Sequence, residues 1–321
     1  MSRTASPLLV LTGPTGVGKT ALAMQLADQF PLALISADSV MVYRCLNIGS
    51  AKPSASELAR YPHALVNQVE PEHAYDAGQF VIDARLAIRD ALERGRIPCL
   101  VGGTILYLKA LLDGLDALPA ADPVIRQHIR DQASVEGWPA IHALLAARDP
   151  EVAAMIHPNH SSRIERALEV LMVTGESIRK HWSGETQDLE IDGVAMNIST
   201  LVLLPEDRDA LKTRLDQRFE TMLLDGLIEE VITLRTRPGL TPDCPSMRSV
   251  GYRQVWQYLD QEIDATTMKE TAQAATRQLA KRQLTWLRSW PATGASSLMV
   301  GDHLPTEAAT SWTAERLHHV L

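Results

Sequence analysis

Within its first twenty residues the 321-residue chain carries the octet Gly13-Pro14-Thr15-Gly16-Val17-Gly18-Lys19-Thr20. It lies between an apolar run, Leu8-Leu9-Val10-Leu11, and an Ala/Leu-rich stretch from Thr20 to Ala27. This is the full G-x-x-x-x-G-K-[ST] pattern in the context its mechanism needs, strand before and helix after. The glycines let successive backbone N–H groups turn inward on a phosphate, and the helix N-terminus adds unpaired donors and a positive dipole end. Lys19 supplies a point charge to the terminal phosphates, and the Thr20 hydroxyl can ligate Mg²⁺. The motif predicts a polyphosphate ligand without saying which one.

The same octet fixes the fold class. An apolar run without alternation suits a strand buried on both faces, as in a parallel sheet covered by helices. The pattern repeats: strands at 32–35, 64–69 and 97–101, with a helix after Asp76 whose apolar positions Phe80, Ala84, Ile88, Ala91 and Leu92 keep helical spacing up to Gly95. From about Asp116 to Gly193 the stretches are short and polar, broken by Pro119, Pro123, Pro139, Pro150 and Pro158. A strand signal returns at 198–204, followed by helices near 206–223, 226–236, 248–259 and 264–290. The expectation is an α/β chain with a P-loop NTPase-like core, a mainly parallel sheet flanked by helices, at 1–115 and 197–291. A mostly helical insertion occupies 116–196, and 292–321 is peripheral.

Composition excludes several classes. With 45% hydrophobic and 22% charged residues the chain is globular and not disordered. Cys45, Cys99 and Cys244 are scattered and form no disulfide or zinc framework, which suits a reducing cytoplasm. The N-terminal apolar run is too short for a signal peptide, and nowhere do 18 apolar residues run together, so a cytoplasmic protein without membrane spans is expected. His157-Pro-Asn-His160 has no matching ligand pair for zinc. The formal net charge of -8, from 31 basic and 39 acidic residues, argues by itself against a nucleic-acid partner.

Beyond the second strand stands Ser36-Ala-Asp38-Ser39-Val40-Met41-Val-Tyr43-Arg44. An Asp at the C-terminal end of a parallel strand beside a phosphate loop points into the ligand crevice. It could hold Mg²⁺ through water, take a proton from an acceptor, or cap a turn. Gly102-Gly103-Thr104 follows the fourth strand on the same sheet edge. Thr104 could serve there as a helix N-cap, or meet a ligand.

Taken in order, these blocks resemble the tRNA dimethylallyltransferases. They are GPTGVGKT at 13–20, DSVMVYR at 38–44, IGSAKP at 48–53, GGTILYLKAL at 102–111, RIERALEV at 163–170, DRDALKTRLDQRF at 207–219, GLIEEV at 226–231, SVGYRQVWQYL at 249–259 and RQLAKRQLTWLR at 277–288. Met41 and Ile105 depart from the family pattern, which often has Gln and Gly there. The resemblance implies transfer of a dimethylallyl group from dimethylallyl diphosphate to N6 of adenosine 37, next to the tRNA anticodon, giving N6-isopentenyladenosine and diphosphate. Asp38 would be the general base, with Thr104 and Lys19 also catalytic. Gly13, Pro14, Thr15, Gly16, Val17, Gly18, Lys19 and Thr20, with Arg214 and Arg218, would bind the diphosphate, and Mg²⁺ would sit on Thr20.

The implied partners are dimethylallyl diphosphate and the tRNA anticodon stem-loop, acting on a monomer with no membrane. A base in a stacked loop must be extruded to react. The implied tRNA contacts are Asp38, Ser39, Val40, Met41 and Thr104; Arg126 in the insertion; Ser162, Arg163, Ile164, Glu165 and Arg166; and Asp243, Cys244, Pro245, Ser246, Met247 and Arg248. Arg163 and Arg166 could equally pair with Glu165 or Glu169, and Arg214 and Arg218 with other acids. Gln273, Arg277 and Lys281 repeat every four residues in a basic segment that ends in Trp286 and Trp290, read as an RNA-tracking strip or as a solvated face. A small-molecule kinase using the same loop with ATP is the rival reading. Basic residues cluster at 163–166, 179–180 and 277–288, so the placement of charge weakens the objection that net charge raises.

Overall fold

The computed structural model describes residues 5–114, 118–119, 121–181, 188–288, 296–300 and 306–317. It divides into two compact units, Met1–Leu112 with Asp188–Leu321, and Asp113–Gln187.

The larger unit begins with strand β1 (Ser6–Thr12), helix α1 (Lys19–Ala27), β2 (Leu32–Ser36), α2 (Ala55–Arg60), β3 (His63–Ala64), α3 (Ala77–Glu93), β4 (Ile97–Gly102) and α4 (Ile105–Leu112). The smaller unit is helical: α5 (Pro123–Glu136), α6 (Trp138–Arg148), α7 (Pro150–Ala154), α8 (Ser161–Thr174) and a 3₁₀ turn at Ile178–His181. The chain then re-enters the larger unit through β5 (Glu190–Ile191), β6 (Val194–Leu203), α9 (Arg208–Leu224), α10 (Leu227–Arg235), α11 (Tyr252–Leu259), α12 (Ala265–Arg288), β7 (Ser296–Val300) and α13 (Thr306–Leu317).

The sheet runs β3-β2-β4-β1-β6, with β7 also on β6; every pairing is parallel except that of β5, which makes a short antiparallel hairpin with β6. Alternation along β1 explains why its apolar run is continuous. Leu8 and Val10 face a core shared with Phe80, Ile88 and Tyr107, while Leu9 and Leu11 face a second core shared with Leu22, Leu26 and Leu201. Both faces are buried, so both parities must be apolar. β1 is central, with Leu9 opposite Cys99 on one side and Ser199 on the other. The phosphate loop at its end therefore sits in the middle of the sheet edge.

Three expectations need correction. The third strand spans only two residues, because Leu65 and Asn67 adopt left-handed φ values of 64° and 56° and break the extended chain after Ala64. The helical unit closes at Gln187 and not at 196, since β5 and the start of β6 already belong to the sheet. Of the segment 292–321, expected to be peripheral, the described residues are not: β7 extends the parallel sheet in register with β6, and Ala309, Trp312 and Leu317 of α13 enter the core that holds α1. The smaller unit has its own core of Ile129, Leu145, Val152, Ile164 and Leu168.

Candidate active site

The octet forms a loop between β1 and α1, with Gly16 and Gly18 at φ 81° and 90°, a conformation that only glycine adopts without strain. Gly18 leads straight into α1, whose first N–H groups have no side-chain cap. This is the open helix N-terminus an anion fills. Gly103 faces the loop at the end of β4. A Cβ there would lie 2.8 Å from Gln283 Nε2, 3.0 Å from Gly13 O and 3.3 Å from Lys19 Nζ.

Lys19 Nζ donates to Pro14 O at 2.8 Å. Burial lowers its pKa to about 8, with Asp38 opposing the shift and Arg218 adding to it. Arg218 reaches from α9 and donates through Nη1 to Thr15 Oγ1 at 3.4 Å. Its own pKa is lowered by burial, again opposed by Asp38. Two cations and one carboxylate thus share a desolvated space in which an anionic ligand would strengthen both cations.

Asp38 begins the loop after β2. Its Oδ1 accepts from Val40 N at 2.8 Å and Met41 N at 3.1 Å, which fixes the carboxylate in an Asx turn. No protein donor bonds Oδ2 among the described residues. Thr104 Oγ1 accepts from Ser39 N at 3.0 Å and donates to Ser39 Oγ at 3.3 Å. The Thr104 hydroxyl therefore locks the Asp38 loop, and no capping bond from it to α4 is present.

These groups border two adjoining cavities. One, of about 330 Å³, is lined by Thr15, Lys19, Asp38, Ser39, Val40, Thr104 and Arg218, and opposite them by Leu215, Phe219, Met222, Val250, Leu279 and Trp286. The other, of about 350 Å³, takes the phosphate-loop side with Gly16, Gly18, Thr20, Met41 and Arg214. Ile105 lines the first cavity while 7% exposed, so its side chain occupies space that a glycine would leave open. Val17 contributes only backbone to the loop, since its side chain is in the core.

Sequence reasoning missed four contributions. Gln283 of α12 accepts from Thr15 N at 2.9 Å and donates to Gly103 O at 2.8 Å, joining the phosphate loop to the Thr104 turn. Its signal was available: Thr276, Leu279, Gln283 and Trp286 share one helix face and all line the cavity. Glu230 of α10 accepts from the N–H groups of Asn47, Ile48 and Gly49 and from the Tyr252 hydroxyl at 2.6 Å, pinning the loop that brings Ser50 to both cavities. Lys52 is tied to Tyr43 O, Asn47 and Asn67, and burial lowers its pKa to about 8. The apolar wall is assembled from separate elements, Leu215, Phe219 and Met222 of α9, Leu279 and Trp286 of α12, and Val250, so each face was legible but not their convergence.

The remaining candidates divide. In the smaller unit Arg126 is bidentate to Glu169, at 2.8 and 3.0 Å, and Arg166 joins the same carboxylate at 2.5 Å and Pro119 O at 2.7 Å. Burial opposes ionisation of Glu169, but the two guanidiniums outweigh it and hold the carboxyl below its ordinary range. Glu165 is taken up by Arg130 at 2.7 and 3.0 Å. Arg126, Glu165 and Arg166 are therefore partnered within the unit, and the Ile164 side chain lies wholly in its core. Ser162 and Arg163 are exposed.

In the larger unit Asp243, Pro245 and Arg248 are exposed and Cys244 half-buried, but Met247 is buried and the buried Ser246 hydroxyl bonds to Pro71 O. None of the six lines either cavity. On α12, Gln273 and Arg277 bond to Asp216 of α9, so these two members of the basic face join the two helices. Trp286 is half exposed under Lys109, and Trp290 lies outside the described residues. Among the described residues no group of three His, Cys, Asp or Glu side chains is arranged to hold a metal ion, and no helix is long and apolar enough to cross a membrane.

The profile of the IPP transferase family matches residues 41–290, and that of the isopentenyl transferases residues 7–69. The chain belongs to the tRNA dimethylallyltransferase family. A tRNA dimethylallyltransferase of Thiobacillus denitrificans is 49% identical over 94% of this chain and 95% of its own, and one of Hahella chejuensis 47% identical over 97% and 96%. Among solved structures, the full-length tRNA isopentenylpyrophosphate transferase of Bacillus halodurans matches with a TM-score of 0.69 at 31% identity, covering 98% of both chains. A eukaryotic dimethylallyltransferase acting on tRNA matches with a TM-score of 0.76 at 26% identity, covering 98% of this chain and 80% of that one. The chain is thus an enzyme of a prenyltransferase family, with a P-loop NTPase-like fold.

Proposed function

We propose that the chain transfers the dimethylallyl group of dimethylallyl diphosphate to N6 of adenosine 37 in tRNA, releasing diphosphate. The observation that carries this reading is one cavity walled by a phosphate loop with Lys19 and Arg218, by the Asp38 carboxylate, and by Leu215, Phe219, Met222 and Leu279. An anion cradle beside an apolar wall suits a diphosphate joined to a short hydrocarbon.

The loop N–H groups, Lys19 and Arg218 would hold the diphosphate and stabilise the charge that gathers on it as the C1–O bond breaks and its electron pair departs. The N6 lone pair forms the new bond to C1. The N6 proton passes to Asp38 Oδ2, which the Asx turn aims and leaves open. Thr104 holds the Asp38 loop in that position. A divalent cation fits the donor set, since the Thr20 hydroxyl and Asp38 carboxylate border one cavity and both are hard oxygen ligands. When bound, Mg²⁺ would offset diphosphate charge. We take the enzyme to act as a monomer in the cytoplasm, where its three free cysteines stay reduced.

The test is mass analysis of nucleosides from tRNA incubated with the enzyme, Mg²⁺ and dimethylallyl diphosphate without ATP. The expected product is adenosine heavier by one isopentenyl group, with the rate for Asp38→Ala down by roughly 10²–10⁴-fold and diphosphate binding retained. An unchanged adenosine mass, or an ATP requirement, would overturn the reading in favour of a kinase.

A further inference from the structure

Helix α9 runs away from the phosphate loop as a graded wall. A Cβ on Gly16 would lie 2.6 Å from Leu215 Cδ2 and 3.6 Å from Leu211 Cδ1, so this turn of the helix packs on the loop itself. One turn on, Arg218 reaches Thr15 Oγ1, and Phe219 stands 3.6 Å from a Cβ placed on Gly251. Met222, four residues after Arg218 and on the same helix face, is the last residue of α9 to line the reaction cavity. From Leu215 to Met222 the helix rises about 10 Å, the span of a diphosphate with a short allyl group.

Behind Met222 lies a third cavity, of about 540 Å³. Arg218 and Met222 line both this space and the reaction cavity, so they form the partition between them. Facing them, the 47–51 loop also divides, with Gly49 and Ser50 on the reaction side and Asn47, Ile48 and Ala51 on the other. That jaw is fixed. Glu230 accepts its backbone N–H groups, and a Cβ on Gly49 would lie 2.6 Å from Tyr252 Cε2 and 2.9 Å from Leu227 Cδ1. Arg218 is tied to Thr15. Met222 is half-buried against the core and unbranched, which makes it the adaptable part of the partition.

We propose that Met222 fixes the chain length of the prenyl donor: its side chain stops the hydrocarbon at five carbons, and a smaller residue there would let a ten-carbon donor extend into the third cavity. The inference rests on the prenyl-transfer reading above. Ile48, Pro53, Ala55 and Leu58 give the third cavity an apolar strip for a second isoprene unit. Lys52, also in its lining, has its ammonium engaged by Tyr43 O, Asn47 and Asn67. The chemistry at C1 is the same for both donors. The C1–O bond breaks and its electron pair leaves on diphosphate, N6 bonds to C1, and the N6 proton passes to Asp38. Length is therefore read by the wall and not by the reacting groups. One methylene that a hydrophobic pocket cannot hold costs roughly 10–200-fold, and a geranyl donor brings five more carbons to the closed end.

The test measures kcat/KM for tRNA prenylation with dimethylallyl and with geranyl diphosphate, the two products told apart by nucleoside mass. Wild type should favour dimethylallyl by at least about 10²-fold. Met222→Ala should narrow that preference by about tenfold or more, mostly through a gain with geranyl. Met222→Leu conserves volume and should keep the wild-type preference. Adding Leu58→Trp to Met222→Ala refills the third cavity and should restore the exclusion of geranyl, an effect that general loosening of the site would not show.

A Met222→Ala protein of wild-type thermal stability with an unchanged preference would overturn the proposal, as would a wild type that uses both donors equally well. If the Ala variant does not fold, Met222→Val makes the same comparison with a smaller change in volume, and an unchanged preference there counts equally against it. A gain with geranyl that Leu58→Trp fails to reverse would overturn the role of the third cavity. Wild-type protein that prenylates tRNA with neither donor would overturn the function itself, a result distinct from any change in preference.

Discussion

Burial lowers Lys19 to about 8, with Asp38 pulling the other way and Arg218 adding to the depression. The ordinary lysine value of 10.5 survives in the unfolded chain, so between about 8 and 10.5 the unfolded state binds more protons than the folded one. Stability of the ligand-free protein should therefore rise with pH across that window. Anion binding should move oppositely, because the neutral amine no longer attracts a phosphate. The expected result is a KM for dimethylallyl diphosphate that is flat below pH 8 and climbs towards tenfold per unit above it, with proton uptake on binding seen by calorimetry in buffers of differing ionisation heat. Lys52 also falls to about 8, but its ammonium is engaged by Tyr43 O, Asn47 and Asn67. Lys52→Gln should leave the pH profile in place. A profile that vanished in Lys52→Gln and persisted in Lys19→Arg would move the titration from Lys19 to Lys52.

At the scale of elements, α12 works as a strut whose Gln283 spans the phosphate loop and the Thr104 turn. On the proposed reaction Gln283 is a positioning residue, since it bonds backbone of the phosphate loop and of the turn before Thr104. Gln283→Leu fills the same volume but breaks both bonds, so kcat should fall by about 10–100-fold while the KM for the diphosphate and the melting temperature change little. Gln283→Asn, too short to span both loops, should resemble it. A Leu variant with wild-type kcat would reduce Gln283 to packing. Its role was hidden in the sequence because its partners lie 268 and 180 positions away. By contrast β1, its loop and α1 were legible, because apolar run, glycines and helix formers are contiguous. β3 was misjudged since nothing local announces the left-handed turns at Leu65 and Asn67, which free Asn67 to hold Lys52. The spacing of Gln273, Arg277 and Lys281 was right as a helix face, yet spacing does not say that Asp216 waits opposite it. Likewise β7 looked dispensable until its partner β6, nearly a hundred residues away, was known.

For the whole molecule, a net charge of -8 coexists with a nucleic-acid substrate because many basic groups are already neutralised by acids of the same unit. Arg126, Arg130 and Arg166 are taken up by Glu165 and Glu169, and Arg235, Arg237, Lys269 and Arg277 by acids of the larger unit. Arg163, Arg208, Lys281 and Arg288 are exposed, with no carboxylate at ion-pair distance among the described residues. Each phosphate neutralised on a single strand contributes roughly -0.7 to the slope of log K against log salt, so these four give about -3. Filter binding of unmodified tRNA between 50 and 200 mM salt should return a slope near that value and far from the roughly -10 of a protein that coats nucleic acid broadly. A steep slope would mean that the buried pairs on Glu165 and Glu169 open when RNA binds. Breaking them would leave two carboxylates uncompensated in an apolar core, a cost that weighs against their exchanging partners. The shallow slope follows from where the acids sit, and the sum of charges alone points the other way.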